Sequence, residues 1–169
     1  LACVTAYPSA YYHLLAWSGD TGGASQNGDA LTLPMTQPRS VTAGFAQNLT
    51  SAHGVPEAWL AQYGWTQDYE AAAEGDADGD GMATWKEWRT DTDPTNALSV
   101  LRMAGVAWSN GAPRLSWSGG ASRTQLIQRA LSPAGPWQDI RTNLPPTPLA
   151  GSLTEPAIGP SAFYRIAVP

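Results

Sequence analysis

The chain has 169 residues, of which 43% are hydrophobic and only 14% charged, so its composition excludes a disordered chain and allows one domain or several small ones. Its net charge is −5, with one lysine, eight arginines and no basic run, which excludes nucleic acid as a natural partner. No apolar run is long enough for membrane insertion, and the single cysteine, Cys3, excludes an internal disulfide.

Residues 1–47 have the pattern of β-strands. Apolar and β-branched runs occur at 2–6, 12–17, 31–35 and 41–45, and residues 20–29 read as a loop rich in Gly, Ser and Asn. Cys3 shows no sign of activation and is expected to be a small buried apolar group. Because the chain begins abruptly in strand-like sequence, we expect it to be a fragment or processed form of something larger.

This first segment resembles the second half of an internalin-type B-repeat, a small β-grasp-like module of bacterial surface proteins. The resemblance is carried by Val-Thr-Ala and Pro at 4–8, Tyr12, Trp-Ser-Gly-Asp at 17–20, Leu-Thr-Leu-Pro-Met at 31–35 and Val-Thr-Ala-Gly-Phe-Ala at 41–46. Tyr11 and Leu14 replace a usual Gly and Phe, and the family's first hairpin is missing. An incomplete module implies an exposed sheet edge, which favours β-strand pairing between chains in a homo-oligomer or filament.

Residues 48–98 form a second segment, in which two short predicted helices flank an acidic loop. Pro56 is favoured in a first helical turn, and the rings of Trp59 and Tyr63 share one helical face with Leu60. The second predicted helix covers residues 84–89 and is rich in Trp.

The acidic loop between Asp76 and Glu87 has the spacing of an EF-hand-like calcium loop. Calcium takes six to eight oxygen ligands, and Gly at position six allows the sharp turn that gathers them. The predicted ligands are Asp76, Asp78, Asp80, the carbonyl of Met82, Thr84, which often acts through water, and Glu87. Residues 68–93 contain nine acids and two bases, a net charge of −7 that asks for a cation. The alternative is a solvated acidic turn, since Asp-Gly pairs form turns anyway.

Other acids lie beside this loop and have more than one interpretation. For Asp93 we favour a chain turn, because Asp-Pro pairs are common stops, and we keep it as a candidate ligand of the same ion or of a second one. Asp91 either binds the same ion, binds a second ion or caps the turn. Asp68 and Glu74 are outer groups of the site or, as we favour, solvated charges.

The second segment resembles the calcium segments that precede C-terminal modules in secreted bacterial proteins, which are related to dockerin and thrombospondin type 3 repeats. The shared patterns are Gly-x-Pro-x-x-Trp at 54–59, Asp-x-Asp-Gly-Asp-Gly at 76–81, Glu-Trp at 87–88 and Thr-Asp-Pro-Thr-Asn at 92–96. Dockerins pair two such loops and this chain has one, so the resemblance does not extend to cohesin binding.

Residues 99–169 again alternate between strands and turns. Six strands are predicted, and their regular spacing favours a β-sandwich. The strands cover 100–108, 114–117, 124–129, 137–141, 149–154 and 163–168. Leu-Ser-Trp at 115–117, Gly-Pro-Trp at 135–137 and Phe-Tyr-Arg-Ile at 163–166 resemble a compact fibronectin type III-like module.

The predicted fold class is mainly β and multi-domain, with two small β modules joined by a short helical calcium-binding segment. Neither His13 nor His53 has a nucleophile or acid beside it in sequence, so we expect no enzyme. Calcium is the expected cofactor, and a modest-affinity site fills outside the cell, which favours a secreted or cell-surface location. We therefore predict a structural or adhesive protein, a filament or surface-layer subunit, whose inter-module joint calcium rigidifies.

A carbohydrate-binding accessory region of a secreted enzyme is the alternative, with a polysaccharide or cell-surface partner. Exposed aromatic rings in a row would stack on sugar rings, and burial of these rings would remove the basis for binding. The candidates are Tyr11, Tyr12 and Trp17, or Trp108 and Trp117.

Overall fold

The protein is built from several small β-sheets and three short helices. A computed structural model describes residues 1–156 and 161–169. Strands make up 39% and helices 12% of the structure, which confirms the predicted multi-module β class. The chain divides into two compact units, Leu1–Glu70 and Ala71–Pro169. The finer division at residues 47 and 98 stays a prediction.

The first unit contains two small antiparallel sheets. Its strands are β1 (Ala2–Thr5), β2 (Tyr12–Gly19), β3 (Ser25–Asn27), β4 (Ala30–Leu33) and β5 (Val41–Gln47). One sheet has the order β1–β4–β3, and β2 pairs with β5 in the other. Strand β3 lies inside the predicted 20–29 loop, so the loop prediction is wrong there. Its polar residues become a strand because a tight turn at Gly28 and Asp29 folds them back onto apolar β4.

The inner face of β4 supplies part of the core of this unit. Leu31 and Leu33 are almost fully buried and point to the same side of the strand. Cys3 is exposed, so its predicted burial is wrong. It pairs with Thr32, and paired residues share a face, so Cys3 lies on the side opposite the two leucines.

Three helices lie between the strand-rich regions: α1 (Glu57–Gln62), α2 (Tyr69–Glu74) and α3 (Thr84–Thr90). The shared face predicted for α1 is confirmed, because the Trp59 and Tyr63 rings lie 4.9 Å apart and Leu60 is fully buried. Helix α2 was not predicted, although its alanines and glutamates are good helix formers. None of the described helices has the length and apolar character needed to cross a bilayer.

Six strands form the sandwich of the second unit. They are β6 (Arg102–Ser109), β7 (Ala112–Ser118), β8 (Gln125–Ala130), β9 (Gln138–Asn143), β10 (Ala150–Thr154) and β11 (Phe163–Ala167). Two antiparallel sheets, β10–β7–β6 and β11–β8–β9, result. The six predicted strands are therefore confirmed, with ends that shift by a few residues.

The core of the sandwich lies between facing residues of β7 and β8. Leu115, Trp117 and Ile127 are buried at its centre. They are surrounded by the partly buried Met103, Ile140, Leu153, Tyr164 and Ile166. The alternation of buried and exposed residues along β7 places Leu115 and Trp117 on one face, as the period of two requires.

Candidate metal centre

The acidic loop runs from the end of α2 to the start of α3, and its two ends are held together. The amide of Thr84 donates to the carbonyl of Gly75 across 2.8 Å, which closes the base of the loop. Gly79 and Gly81 have φ angles of 77° and 92°, a left-handed conformation that favours glycine. The predicted sharp turn at position six is therefore present, and its glycine is required by the backbone.

Backbone amides of the loop donate hydrogen bonds to the carboxylates of the three aspartates. Asp76 accepts from the amides of Gly79 at 2.8 Å and Gly81 at 2.9 Å. Asp78 and Asp80 accept through one oxygen each, from the amides two residues further on. The other oxygen of Asp78 and of Asp80 is buried and has no hydrogen-bond donor among the described residues. One oxygen from each of the three carboxylates lies within 4.8 Å of the others, so the loop gathers charge around one point.

Glu87 is the most informative residue of this site. It is fully buried in the first turn of α3, and neither of its carboxylate oxygens has a hydrogen-bond partner among the described residues. Burial, followed by the charges of Asp78, Asp80, Asp76 and Asp93, raises the pKa of Glu87 to about 8. A buried carboxylate without a donor is costly, and the four nearby carboxylates add to that cost.

The donor set fits a hard cation. Thr84 is also fully buried, and its hydroxyl has no partner among the described residues. Only oxygen donors are present, which suits calcium or magnesium rather than zinc. A cation at this point would neutralise the repulsion and satisfy the two free oxygens of Glu87. These residues would hold the ion, and the chemistry it would supply is charge compensation and fixed loop geometry.

The structure separates the roles of the remaining predicted residues. Met82 is half-buried, and its amide donates to Asp80 across 2.7 Å, which keeps it within the loop. Asp93 contributes to the raised pKa of Glu87, yet one of its oxygens accepts from the amide and hydroxyl of Thr95. Its interpretation as a turn residue is therefore confirmed, and its interpretation as a ligand stays a prediction.

Asp91 is directed toward the sandwich. Its Oδ2 accepts from the amides of Ala121 at 3.2 Å and Ser122 at 2.9 Å. No short-range pattern reveals a contact over thirty residues of sequence, and the only available signal was that Asp tolerates the left-handed conformation found here, with φ of 58°.

The aromatic rings proposed for sugar binding have different environments. Trp117 is buried in the sandwich core, where its indole donates to Gln125 across 3.1 Å, so it offers no ring to a ligand. Tyr11 packs edge-on against Tyr69 with centroids 6.3 Å apart. Trp17 is half-buried, Tyr12 is 39% exposed and Trp108 is 70% exposed.

Comparison with known proteins identifies the first segment. Residues 1–49 match the family described as the divergent InlB B-repeat domain. The resemblance inferred for residues 1–47 is thus confirmed, and a B-repeat indicates an extracellular, surface-type protein. No curated protein and no solved structure matches the chain significantly. The match covers 49 of 169 residues, so the assignments of the other two segments stay predictions.

Proposed function

We propose that this protein is a non-catalytic extracellular structural or adhesive component whose acidic segment is ordered by bound calcium. The observation that carries the proposal is the buried carboxylate of Glu87, with two unpartnered oxygens beside three converging aspartates. The B-repeat match supports the extracellular setting. A filament or surface-layer subunit is the form of protein that these features fit.

Calcium is favoured over magnesium by the number of oxygens. One oxygen from each of Asp76, Asp78 and Asp80, two from Glu87 and the carbonyl of Met82 would give six ligands. Thr84, directly or through water, would add a seventh, which lies within the six to eight that calcium takes. Magnesium prefers six ligands in strict octahedral geometry and retains several waters, so it suits a bidentate glutamate less well.

Calcium would act by stabilising a segment that buries little of its own. Helices α2 and α3 have six and seven residues, too few to be stable in isolation. A ligand that binds only the folded form contributes about 2.7 kcal/mol at a hundredfold excess over its Kd. With the ion, the acidic segment would change from a flexible tether to a rigid joint in the chain.

The strand pairing of the second unit supports a fibronectin type III-like module. Counted from β6, the first, second and fifth strands share one sheet, and the third, fourth and sixth share the other. Immunoglobulin-type sandwiches partition their strands in a similar way, with A, B and E together and C and F together. We therefore assign β6–β11 to this architecture as part of the proposal.

Calorimetric titration with calcium tests the metal site. We expect wild type to bind one calcium ion and Glu87→Gln to bind it about tenfold or more weakly, because a charged bidentate ligand is lost. Asp68→Asn removes one negative charge from the same segment outside the loop, and it serves as the matched control. Binding that is absent in wild type, or that is weakened equally by both variants, would refute the proposal.

A second candidate function, polysaccharide binding, is favoured by one cavity in the first unit. Tyr7, Ser9, Tyr12 and Phe45 line a space of about 240 Å³, and the three rings are 84%, 39% and 44% exposed in order. Aromatic rings beside a hydroxyl suit the apolar face and hydroxyls of a sugar. Polysaccharide pull-down with wild type and Tyr12→Ala tests it, and we expect retention of wild type alone; equal behaviour of the two would exclude this site.

A further inference from the structure

The C-terminal end of α3 is hydrogen-bonded to the turn between β7 and β8, residues 119–123, and both belong to the same compact unit. We call this contact the clasp. Asp91 is the C-cap of α3, in the left-handed conformation with φ of 58°. Its carboxylate accepts from two successive amides, those of Ala121 and Ser122, at 3.2 and 2.9 Å. Charge-assisted bonds of this kind are stronger than neutral ones, so the helix end is held firmly to residues 119–123.

The two backbones meet closely at this clasp. A Cβ placed on Gly120 would overlap the carbonyl oxygens of Thr90 and Asp91, so only glycine fits. Arg123, three residues after Gly120, donates to the carbonyl of Trp88 across 3.2 Å. Its guanidinium also lies 5.9 Å from the centre of the Trp88 ring. Trp88, Thr90 and Asp91 therefore all contact residues 120–123.

The turn is tied in its other direction to the sandwich core. The carbonyl of Gly120 accepts from Gln125 at 3.0 Å and from the hydroxyl of Thr147 at 2.7 Å. Gln125 is fully buried and accepts from the indole of Trp117 at 3.1 Å. Trp117 belongs to the central cluster, so two successive hydrogen bonds, through Gln125, connect the clasp to the core.

The same helix carries the buried glutamate of the metal centre. The main-chain carbonyl of Glu87 accepts from the amides of Asp91 and Thr92, while its side chain belongs to the acidic site. Helix α3 thus carries a ligand candidate in its first turn, and its other end is bonded to the sandwich. Displacement of Glu87 would shift the cap that holds Asp91.

We infer that calcium binding at the proposed site stabilises the β6–β11 sandwich, and that Asp91 is the positioning residue that transmits this effect rather than a ligand. The inference rests on the proposed function. It adds that calcium binding stabilises strands β7 and β8 against unfolding as well as the loop itself. Chelation of calcium would therefore loosen a folded module as well as the acidic segment.

Hydrogen exchange of the full chain, followed by mass spectrometry with calcium and with EDTA, tests the coupling. At calcium one hundred times its Kd, we expect amides of β7 and β8 that exchange by unfolding of the sandwich to exchange about a hundredfold more slowly than in EDTA. Strands β2 and β5, which belong to the other compact unit, serve as the internal reference.

Asp91→Gly is the decisive variant, because glycine keeps the left-handed backbone and removes only the carboxylate. We expect it to bind calcium with an affinity close to that of wild type while losing most of the calcium-dependent protection of β7 and β8. Asn110→Gly is the matched control, since Asn110 also has a positive φ, of 51°, and lies in the β6–β7 turn of the same sandwich. Asp91→Asn tolerates the same conformation but replaces the charged acceptor with a weaker neutral one, so we expect it to bind calcium as wild type does and to lose a clear part of the calcium-dependent protection.

The outcomes separate the two proposals. Calcium binding without slower exchange in β7 and β8 would overturn the coupling and leave the metal site intact. Full calcium-dependent protection in Asp91→Gly, or in Asp91→Asn if the glycine variant does not fold, together with unchanged affinity, would overturn the role of Asp91. Absence of calcium binding in wild type would overturn the metal site, and the coupling with it.

Discussion

Individual carboxylates in this chain differ according to what surrounds them. Glu87 is buried beside other acids, whereas Glu70 accepts hydrogen bonds from two backbone amides, that of Ser51 at 2.7 Å and that of Ala52 at 2.8 Å. The first environment raises the pKa of its carboxyl and the second lowers it. The two residues therefore have opposite expected responses to pH.

Calcium binding should release a proton from Glu87 at neutral pH. Without metal its pKa is about 8, so the carboxyl is mostly protonated at pH 7 and must ionise to bind an ion. We expect close to one proton released per calcium at pH 7 and almost none above pH 9. Calorimetry in two buffers of different ionisation enthalpy measures this number. Asp68→Asn should release the same amount as wild type, and an equal release at both pH values would contradict the prediction.

The same raised pKa makes the stability of the metal-free protein depend on pH. A carboxyl whose pKa is higher in the folded state than its usual value of 4.5 favours folding while it is protonated. Stability without calcium is therefore lost as the pH rises from about 4.5 to about 8. Calcium should abolish this loss, because it replaces the proton as the neutralising charge.

Glu70 should stabilise the first unit only where it is ionised. Its pKa is lowered, chiefly by the hydrogen bond from Ala52 and then by that from Ser51, so its contribution is present above the usual pKa and is lost as the pH falls through the folded value. We expect Glu70→Gln to lower the urea midpoint at pH 7 and to match wild type at a pH below both values. Glu57→Gln, the same change on α1, is the control. A difference between Glu70→Gln and wild type that persists in acid would argue against this role.

Residue spacing was sufficient to predict the loop but not its surroundings. The loop has its acidic residues at fixed intervals in one stretch of chain. The structure brings Asp76, Asp78 and Asp80 together, and their charges help to raise the pKa of Glu87. The hydrogen bonds of Asp91 span 30 and 31 residues and those of Glu70 span 18 and 19, so no local sequence pattern contains them. Such contacts depend on which turns the tertiary structure brings close.

Among the elements, strand β7 follows its sequence most closely. Its apolar residues alternate with polar ones, and Leu115 and Trp117 fill the core as a period of two predicts. Strand β3 is the opposite case, because Ser, Gln and Asn have no strand pattern of their own. It forms because β4 offers a partner at the right turn length, and tertiary pairing outweighs propensity.

The central position of β7 in its sheet allows a quantitative prediction. Leu115 is fully buried in the core. Leu115→Ala should therefore lower the free energy of unfolding by about 2–5 kcal/mol, because burial is lost and a cavity forms. Leu149→Ala is the matched control, since Leu149 is 68% exposed. Urea denaturation measures both variants, and similar losses in the two would show that β7 is not the centre of the core.

At the scale of the whole molecule, the predicted order of modules rests on differences in composition along the chain. The strand-rich ends and the acidic middle differ in charge, with a net charge of −7 over residues 68–93. The grouping into compact units follows long-range contacts instead. The second unit includes both the acidic loop and the sandwich. The clasp at Asp91 is one physical reason for this grouping, and composition alone does not reveal it.

We propose that strand β6 is a surface through which copies of this chain could assemble by strand pairing. It lies at one edge of its sheet, and Val106 and Trp108 are 53% and 70% exposed. They pair with Leu115 and Pro113, which are buried, so the two side chains point toward the core side of the sheet without being covered there. An apolar edge with a single charge, that of Arg102, is the kind that natural proteins usually protect.

We therefore expect self-association at high protein concentration to depend on β6. Trp108→Lys places a charge on this edge and should shift the association toward monomer, because a buried lysine in a paired strand would be costly. Leu131→Lys adds the same charge at a residue that is 69% exposed but lies after β8, outside any strand, and it serves as the control. Sedimentation velocity over a concentration series in calcium distinguishes the cases. If wild type remains monomeric throughout, or if the two variants dissociate equally, pairing through β6 is excluded as the basis of a filament.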